Sequence, residues 1–238
     1  MKSILLTGTI DPSKFNNTMT TLSDVDTRLN QYQTAIKWWI DKSKFENIIF
    51  IENSGYRFNK DYYSSKAAQK GKSFEFISGT PHYENTLNQG KSFGEIMLIT
   101  EAIERSELLK SCDSFYKCTG RLIIKNVNRI LKHGYKSGNI FLGIPSDKWV
   151  FTWFFSVEKD FYKEVLQDSY KYVDDKNGVF MEHIYYKKLI AERAKIDTFK
   201  VYPNVAGISA GSSSKYHSNV LSLFLKNRKV KSGYFGVE

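Results

Sequence analysis

The stretch DSFYKCTGRLIIKN, residues 113–126, decides how this chain is read. Residues 115–118 form a short buried strand, and Thr119-Gly120-Arg121 then breaks the apolar run with a small residue, a flexible one and a fixed cation. A strand ending in Gly and a charge sets that charge at the carboxyl edge of a sheet, where open α/β sheets bind ligands. Arginine there is a planar, permanently charged fork suited to phosphate. Arg121 is therefore the first candidate site residue, and the expected ligand is a phosphorylated, nucleotide-bearing donor. Period-two alternation puts Lys117 and Thr119 on one face of the strand, Cys118 and Gly120 on the other.

Upstream, residues 94–109 read as an amphipathic helix with Ile96, Ile99, Ala102, Ile103 and Leu109 broadly on one side. Residues 80–94 are poor in apolar side chains and contain Gly90-Lys91-Ser92-Phe93-Gly94-Glu95. The Gly-Lys-Ser fragment is not a phosphate loop, because the upstream glycine such a loop needs is absent. Spaced glycines before a helix still let backbone and Lys91 approach an anion; the alternative is a flexible loop.

Residues 3–10 read as the first strand. Residues 24–42 read as a helix capped by Asp24, with Leu29, Tyr32, Ile36, Trp39 and Ile40 on its apolar side. Arg28 falls in the first turn and faces the loop after strand one. A cation is unusual there, which makes it a ligand candidate. Asp24-Val25-Asp26 is formally an Asp-x-Asp, a pattern that can hold a divalent metal on a diphosphate. At a helix start, however, acids are expected for capping alone. Residues 47–52 form a second strand ending in the turn Asn53-Ser54-Gly55-Tyr56, residues 60–72 a short polar helix and residues 74–77 a third strand.

Beyond the central stretch, residues 126–131 read as a short helix, 139–144 as a strand, 149–157 as one long strand and 158–167 as a helix. A polar turn over 174–178 leads to a helix over 182–194, then a last strand over 201–205 and a small-residue loop over 207–214. The tail, 221–231, mixes Leu and Phe with Lys226, Arg228, Lys229 and Lys231. It either lies on an anionic membrane or docks as a solvated terminal helix.

The chain has 238 residues, 41% apolar and 15% aromatic, which points to a folded globule rather than disorder. Its net charge of +10 favours anionic partners, although a solvated basic surface explains it equally. No nucleic-acid-binding signature is present, so nucleic acid is not an expected partner. The two cysteines, Cys112 and Cys118, cannot form a disulfide framework for a chain this size, which points to a reducing, cytoplasmic setting. The first ten residues are too short and strand-like for a signal peptide. No apolar run approaches the ~18 residues of a spanning helix. The expected location is the cytoplasm, with attachment to the inner face of the plasma membrane as a further option.

The order strand, helix, strand, helix, strand, glycine-bearing loop, long helix, strand, charged turn resembles the nucleotide-sugar half of the glycosyltransferase A fold. In that fold Asn-x-Gly and an Ala-rich helix often precede the fourth main strand, which ends in an Asp-x-Asp that holds a metal on the donor diphosphate. Here Asn88-x-Gly90 and residues 94–109 stand in the first place, and Tyr116-Lys117-Cys118-Thr119-Gly120-Arg121 in the second. More specifically, ILLTGTIDP, the Arg-Leu-x-Gln-Tyr of residues 28–32, IIFIENSGY, the Lys-x-x-Gly-Glu of residues 91–95 and YKCTGR together resemble bacterial surface-polysaccharide glycosyltransferases. Those proteins build lipopolysaccharide or capsule and carry Lys-x-Thr-Gly-Arg in place of the acidic motif. The resemblance covers residues 3–130, with a weaker echo at FMEHIYYKKL.

The resemblance implies an α/β fold with a Rossmann-like, mostly parallel central sheet flanked by helices. It implies one domain, with residues 1–130 as the nucleotide-sugar-binding half and 131–238 as the acceptor half. The implied activity is hexosyl transfer from a nucleotide-sugar to a glycan or lipid-linked glycan. The implied donor-binding residues are Thr9, Arg28, Asn53, Lys91, Gly94, Glu95, Lys117, Thr119 and Gly120. Arg121, with Lys117 and Lys91, would stabilise the leaving diphosphate. Glu182 matches an acid that opens a helix near the acceptor and serves as general base if the reaction inverts the anomeric centre. His183 replaces the second acid of that pair and is itself a candidate base. Without an Asp-x-Asp, no divalent metal is expected; Mn or Mg on Asp24/Asp26 or Asp174/Asp175 is the alternative. Two other functions stay open: a nucleotidyltransferase or other nucleotide-sugar enzyme, and a non-catalytic glycan- or membrane-binding protein.

Overall fold

The computed structural model describes residues 1–15, 22–208, 215–216 and 218–237. Its first half runs β1 (Ser3–Gly8), α1 (Val25–Lys42), β2 (Asn47–Glu52), α2 (Lys60–Ala68), β3 (Ser73–Ser78), α3 (Tyr83–Gln89), α4 (Lys91–Arg105), α5 (Glu107–Lys110) and β4 (Ser114–Thr119). Then follow β5 (Ile123–Ile124), α6 (Val127–Ile130), β6 (Ile140–Phe141), β7 (Gly143–Ile144), β8 (Trp149–Val150), β9 (Phe154–Glu158) and α7 (Lys159–Phe161). The chain ends with α8 (Met181–Ala191), β10 (Asp197–Thr198), β11 (Val205–Ile208), β12 (Lys215–Tyr216) and α9 (Val220–Lys231).

Seven strands form one sheet in the order β10-β6-β9-β4-β1-β2-β3. β1 pairs in parallel with both β2 and β4, β2 with β3, and β10 with β6, so β9 alone runs against the rest. The expected α/β architecture with a mostly parallel, helix-flanked sheet is therefore present. β1 and β2 are buried along their whole length, as befits strands covered on both faces. Their alternate residues feed two apolar layers. Ile4, Leu6, Ile48 and Phe50 pack with Ile36, Trp39 and Ile40 of α1. Leu5, Ile49 and Ile51 pack with Ile96, Ile99 and Ala102 of α4 and with Tyr185 and Leu189 of α8.

Five features depart from the sequence expectation. The helix expected over 94–109 starts earlier, at Lys91, and divides in two, because Ser106 leaves the helical conformation and caps α5, its Oγ accepting from the Leu109 N–H at 3.1 Å. The loop expected over 80–94 contains α3, a helix with little apolar periodicity that is held by a long-range bond from Gln89 Nε2 to the Tyr170 carbonyl at 3.0 Å. The long strand expected over 149–157 breaks at 151–153: β8 pairs with β7, while β9 joins the main sheet. The strand expected over 139–144 divides into β6 and β7 for the same reason. The strand expected over 201–205 lies at Val205–Ile208 instead and pairs with β5 and β12. Most of the small-residue loop expected over 207–214 lies outside the described residues.

Candidate functional site

A cleft opens at the carboxyl ends of β1 and β4 and encloses about 230 Å³. That is the space of roughly seven or eight liquid waters, room for a ligand rather than for a single bridging water.

The β1 end is a braced loop. Thr9 Oγ1 donates to Asn53 Oδ1 at 2.7 Å, and the Thr9 N–H donates to Tyr32 Oη at 2.9 Å. Arg28 reaches the same loop from α1: its Nε donates to the Thr9 carbonyl at 2.9 Å and Nη1 to the Leu22 carbonyl at 3.0 Å. Arg28 thus faces the loop, as its place in the first turn implies, but its donors go to backbone carbonyls. Burial holds its guanidinium below the ordinary arginine value; Tyr32 opposes that shift and the nearby charge of Arg121 adds to it. Beneath, the fully buried Glu52 accepts from the N–H groups of Ile10 at 2.8 Å and Ser54 at 2.9 Å, tying the β1 loop to the turn after β2. Nothing local in the sequence marks Glu52 for this task.

The α4 side supplies Lys91, Ser92, Gly94 and Glu95. Lys91 is exposed, and its ammonium has no ion-pair partner among the described residues. Gly90 sits just before the helix at φ 97°, and a Cβ there would lie 2.3 Å from that of Asp175. Asp175 is buried and caps α4, its Oδ2 accepting from the Ser92 N–H at 3.0 Å. Ser92 Oγ in turn accepts from the Met181 N–H at 3.1 Å, so one serine joins the starts of α4 and α8. Gly94 leaves the space between Thr86 Oγ1 and Asn53 Nδ2 open.

At the β4 end, Thr119 and Arg121 line the cleft. Arg121 is buried. Its Nη1 donates to Gln31 Oε1 at 2.9 Å and to the Ile208 carbonyl at 3.1 Å, while Nε has no partner among the described residues. No described carboxylate neutralises it. Lys117 also lines the cleft, on the face that alternation assigns it, but it is committed elsewhere. Its ammonium forms an ion pair with Glu95 and donates to the Thr152 carbonyl at 2.8 Å. Glu95 also accepts from Thr7 Oγ1 at 2.7 Å.

Gly120 does not line the cleft. Its N–H donates to the Thr7 carbonyl at 2.8 Å, and a Cβ would lie 2.7 Å from that oxygen. Its contribution is close approach of β4 to β1, a correction to its expected place on the donor. Cys118 faces the other side, where burial pushes its thiol up to about 12, so it is no thiolate nucleophile at neutral pH.

Glu182 reaches the cleft from the first turn of α8, and Thr152 Oγ1 donates to its Oε1 at 2.7 Å. Burial raises the Glu182 carboxyl above the ordinary glutamate value, against the Thr152 hydrogen bond. His183 does not line the cleft. Its ring packs edge-on to Trp149 at 4.8 Å and beside Phe180 at 5.8 Å. One helical step of 100° separates it from Glu182.

Sequence reasoning missed Thr86, Thr152, Trp153 and Tyr216, all of which line the cleft. Thr152 and Trp153 occupy the break between β8 and β9, invisible in a continuous apolar run. Trp153 and Tyr216, with ring centroids 6.4 Å apart, give one wall an aromatic surface.

Thr119-Gly120-Arg121 puts a cation where the fold's acidic motif would stand. Asp24 caps α1 by accepting from the Thr27 N–H at 2.8 Å, and Asp174 caps its own turn by accepting from Asn177. Among the described residues no group of three or more His, Cys, Asp or Glu side chains could hold a metal ion.

No family model matches the chain, and no curated protein does. Solved structures do. An active-site mutant of LgtC superposes with a TM-score of 0.51 at 8% identity, covering 94% of this chain and 83% of that one. The glycosyltransferase GlyE of Streptococcus pneumoniae TIGR4 gives a TM-score of 0.49 at 8% identity, covering 83% of this chain and 44% of that one; the chain thus spans less than half of GlyE. A nucleoside-diphosphate-sugar pyrophosphorylase from Vibrio cholerae RC9 gives 0.44 at 14% identity, covering 82% of this chain and 90% of that one. The likeness to LgtC is one of fold: the glycosyltransferase A arrangement of sheet and helices.

Proposed function

We propose that this chain is a glycosyltransferase that moves a sugar from a nucleotide-sugar to a glycan or glycolipid acceptor in the building of a surface polysaccharide. The observation that carries the reading is Arg121, a buried guanidinium without a carboxylate partner among the described residues, facing the same cleft as Lys91 and Glu182. The leaving group in such a transfer is a nucleoside diphosphate. Arg121 and Lys91 stabilise the charge that develops on it, the part a metal takes when an Asp-x-Asp is present. Lys117, held by Glu95, keeps the floor of the cleft in shape. Glu182, oriented by Thr152, accepts the proton of the acceptor hydroxyl as the new glycosidic bond forms. Trp153 and Tyr216 offer aromatic faces for a sugar ring or base to lie against.

A thermal-shift screen tests the reading. Nucleoside diphosphates and nucleotide-sugars, with and without manganese, are expected to stabilise the protein, and manganese to add nothing. The absence of any shift with nucleotides would overturn the reading in favour of a non-catalytic binding protein. A shift with nucleoside triphosphates and turnover of sugar 1-phosphate would turn it toward nucleotidyl transfer.

A further inference from the structure

The helix α9 is fixed on one side and bare on the other. Its inner side is docked: Val230 is buried in the core, and Asn227 Oδ1 accepts from the Tyr202 N–H at 2.9 Å. Lys226 Nζ lies 4.8 Å from the centre of the Tyr202 ring. Beyond the helix the chain is pinned again by buried Phe235, which packs on Tyr202 at 5.2 Å. The helix is therefore held in one orientation at its inner face and at its far end.

Its outer face is apolar. Val220 is 87% exposed, Leu221 67%, Phe224 58% and Leu225 49%. At 3.6 residues per turn these four side chains share an arc of about 140°. No other element among the described residues carries more than two exposed large apolar side chains. Arg228 falls near the middle of the same arc one turn further on, with Lys229 and Lys231 at its margins. Exposed Tyr234 follows, with Lys229 Nζ 4.4 Å from its ring centre.

The charge along this segment of the sequence, between Asp197 and Glu238, has one sign. Residues 198–237 contain six Lys or Arg and no Asp or Glu, in a chain whose net charge is +10. A protein partner that buries Phe224 and Leu225 does not call for a row of lysines beside them, whereas an anionic lipid surface accepts both at once. The apolar side chains enter the acyl boundary, and the cations meet the headgroups.

We propose that α9 is a membrane-surface helix that docks the protein on an anionic lipid bilayer through Leu221, Phe224 and Leu225, with Arg228, Lys229 and Lys231 at the headgroups. It lies along the membrane and does not span it; no helix among the described residues is long and apolar enough to cross a bilayer. The proposal does not depend on the transfer chemistry. It does place a lipid surface close to the cleft, because β12, four residues before α9, supplies Tyr216 to the cleft wall.

Co-sedimentation with vesicles decides it. The protein is expected to bind vesicles of phosphatidylcholine with phosphatidylglycerol, to bind pure phosphatidylcholine far more weakly, and to be released by salt. Arg228→Gln with Lys229→Gln should weaken binding about 25-fold, at ~5-fold per lost charge near an anionic surface. Phe224→Ser with Leu225→Ser should abolish it at any lipid concentration tested. Both pairs are exposed, so thermal melting should stay at the wild-type temperature. Failure to bind anionic vesicles, or binding indifferent to both double variants, overturns the proposal. So does a concentration-dependent dimer in sedimentation equilibrium that the Phe224/Leu225 pair dissolves, because the face would then belong to a second copy.

Discussion

Thr152 holds Lys117 through its carbonyl, with Nζ at 2.8 Å, and the same residue holds Glu182 through its hydroxyl at 2.7 Å. A buried cation on β4 and a carboxylate on α8 are thereby fixed relative to each other by one residue at the break between β8 and β9. The Glu95 pair and the Thr152 carbonyl engage the Lys117 ammonium, while Arg121 and Lys91 line the same cleft without a carboxylate partner among the described residues.

Arg121→Ala should lower turnover by about 10²–10³, the loss typical of one preorganised electrostatic contact. Gln31 Oε1 and the Ile208 carbonyl each lose a donor, which costs on the order of 1–3 kcal/mol of stability, so the fold should persist. Steady-state kinetics beside a urea melt separates the two effects. A rate near that of the wild type would remove Arg121 from the chemistry.

Glu182→Gln should abolish transfer while leaving nucleoside diphosphate affinity unchanged. The carboxyl is raised above its unfolded value by burial, so between those two values the folded state binds more protons than the unfolded state. Stability from this group is thus present at low pH and is lost as pH rises through the raised value. Glu182→Gln, which has no such titration, should be at least as stable as the wild type at neutral pH. The wild-type rate should fall as pH falls through the raised value, because a base must be ionised. Transfer by the Gln variant at the wild-type rate would reduce Glu182 to its ordinary benefit at a helix N-terminus.

Lys117→Met should destabilise the protein strongly. Breaking a buried pair typically costs 3–5 kcal/mol; Glu95 is 26% exposed, which lowers the expectation to about 2–3 kcal/mol. Adding Glu95→Gln should recover part of the loss. Denaturant melts of the two variants check this, and an unchanged midpoint in Lys117→Met would show that the pair contributes nothing.

Gly90→Ala should destabilise by about 2–4 kcal/mol, combining a left-handed backbone with contact on the Asp175 carboxylate. Because Gly90 leads into Lys91, nucleotide affinity should fall as well. A variant with wild-type melting would mean that Asp175 swings clear at no cost.

Activity should survive a chelator. Asp24 caps α1, Asp175 caps α4 and Asp174 caps its own turn, so each of these three acids already accepts a backbone N–H. Loss of transfer in EDTA with rescue by manganese would reassign the charge stabilisation to a metal.

The first three strands, the fourth ending in Thr-Gly-Arg, and α1 with its Asp24 cap were legible in the sequence. Strands covered on both faces read as unbroken apolar runs, and a cap is a contact within three residues. Of the expected site residues, Thr9, Arg28, Asn53, Lys91, Gly94, Glu95, Lys117, Thr119, Arg121 and Glu182 do meet at one cleft, because strand ends of a parallel sheet converge on one edge. What each of them does there was decided by partners far away in the chain. Lys117 reads as a ligand cation until the fold brings Glu95 and Thr152 against it, and His183 reads as a base until the helix turns it onto Trp149. Thr152 looks like the middle of a strand until β8 and β9 part to join different sheets. Such contacts span tens of residues, and no local periodicity encodes them: the order of residues sets which groups reach the cleft, and packing between distant segments sets which of their charges stay free.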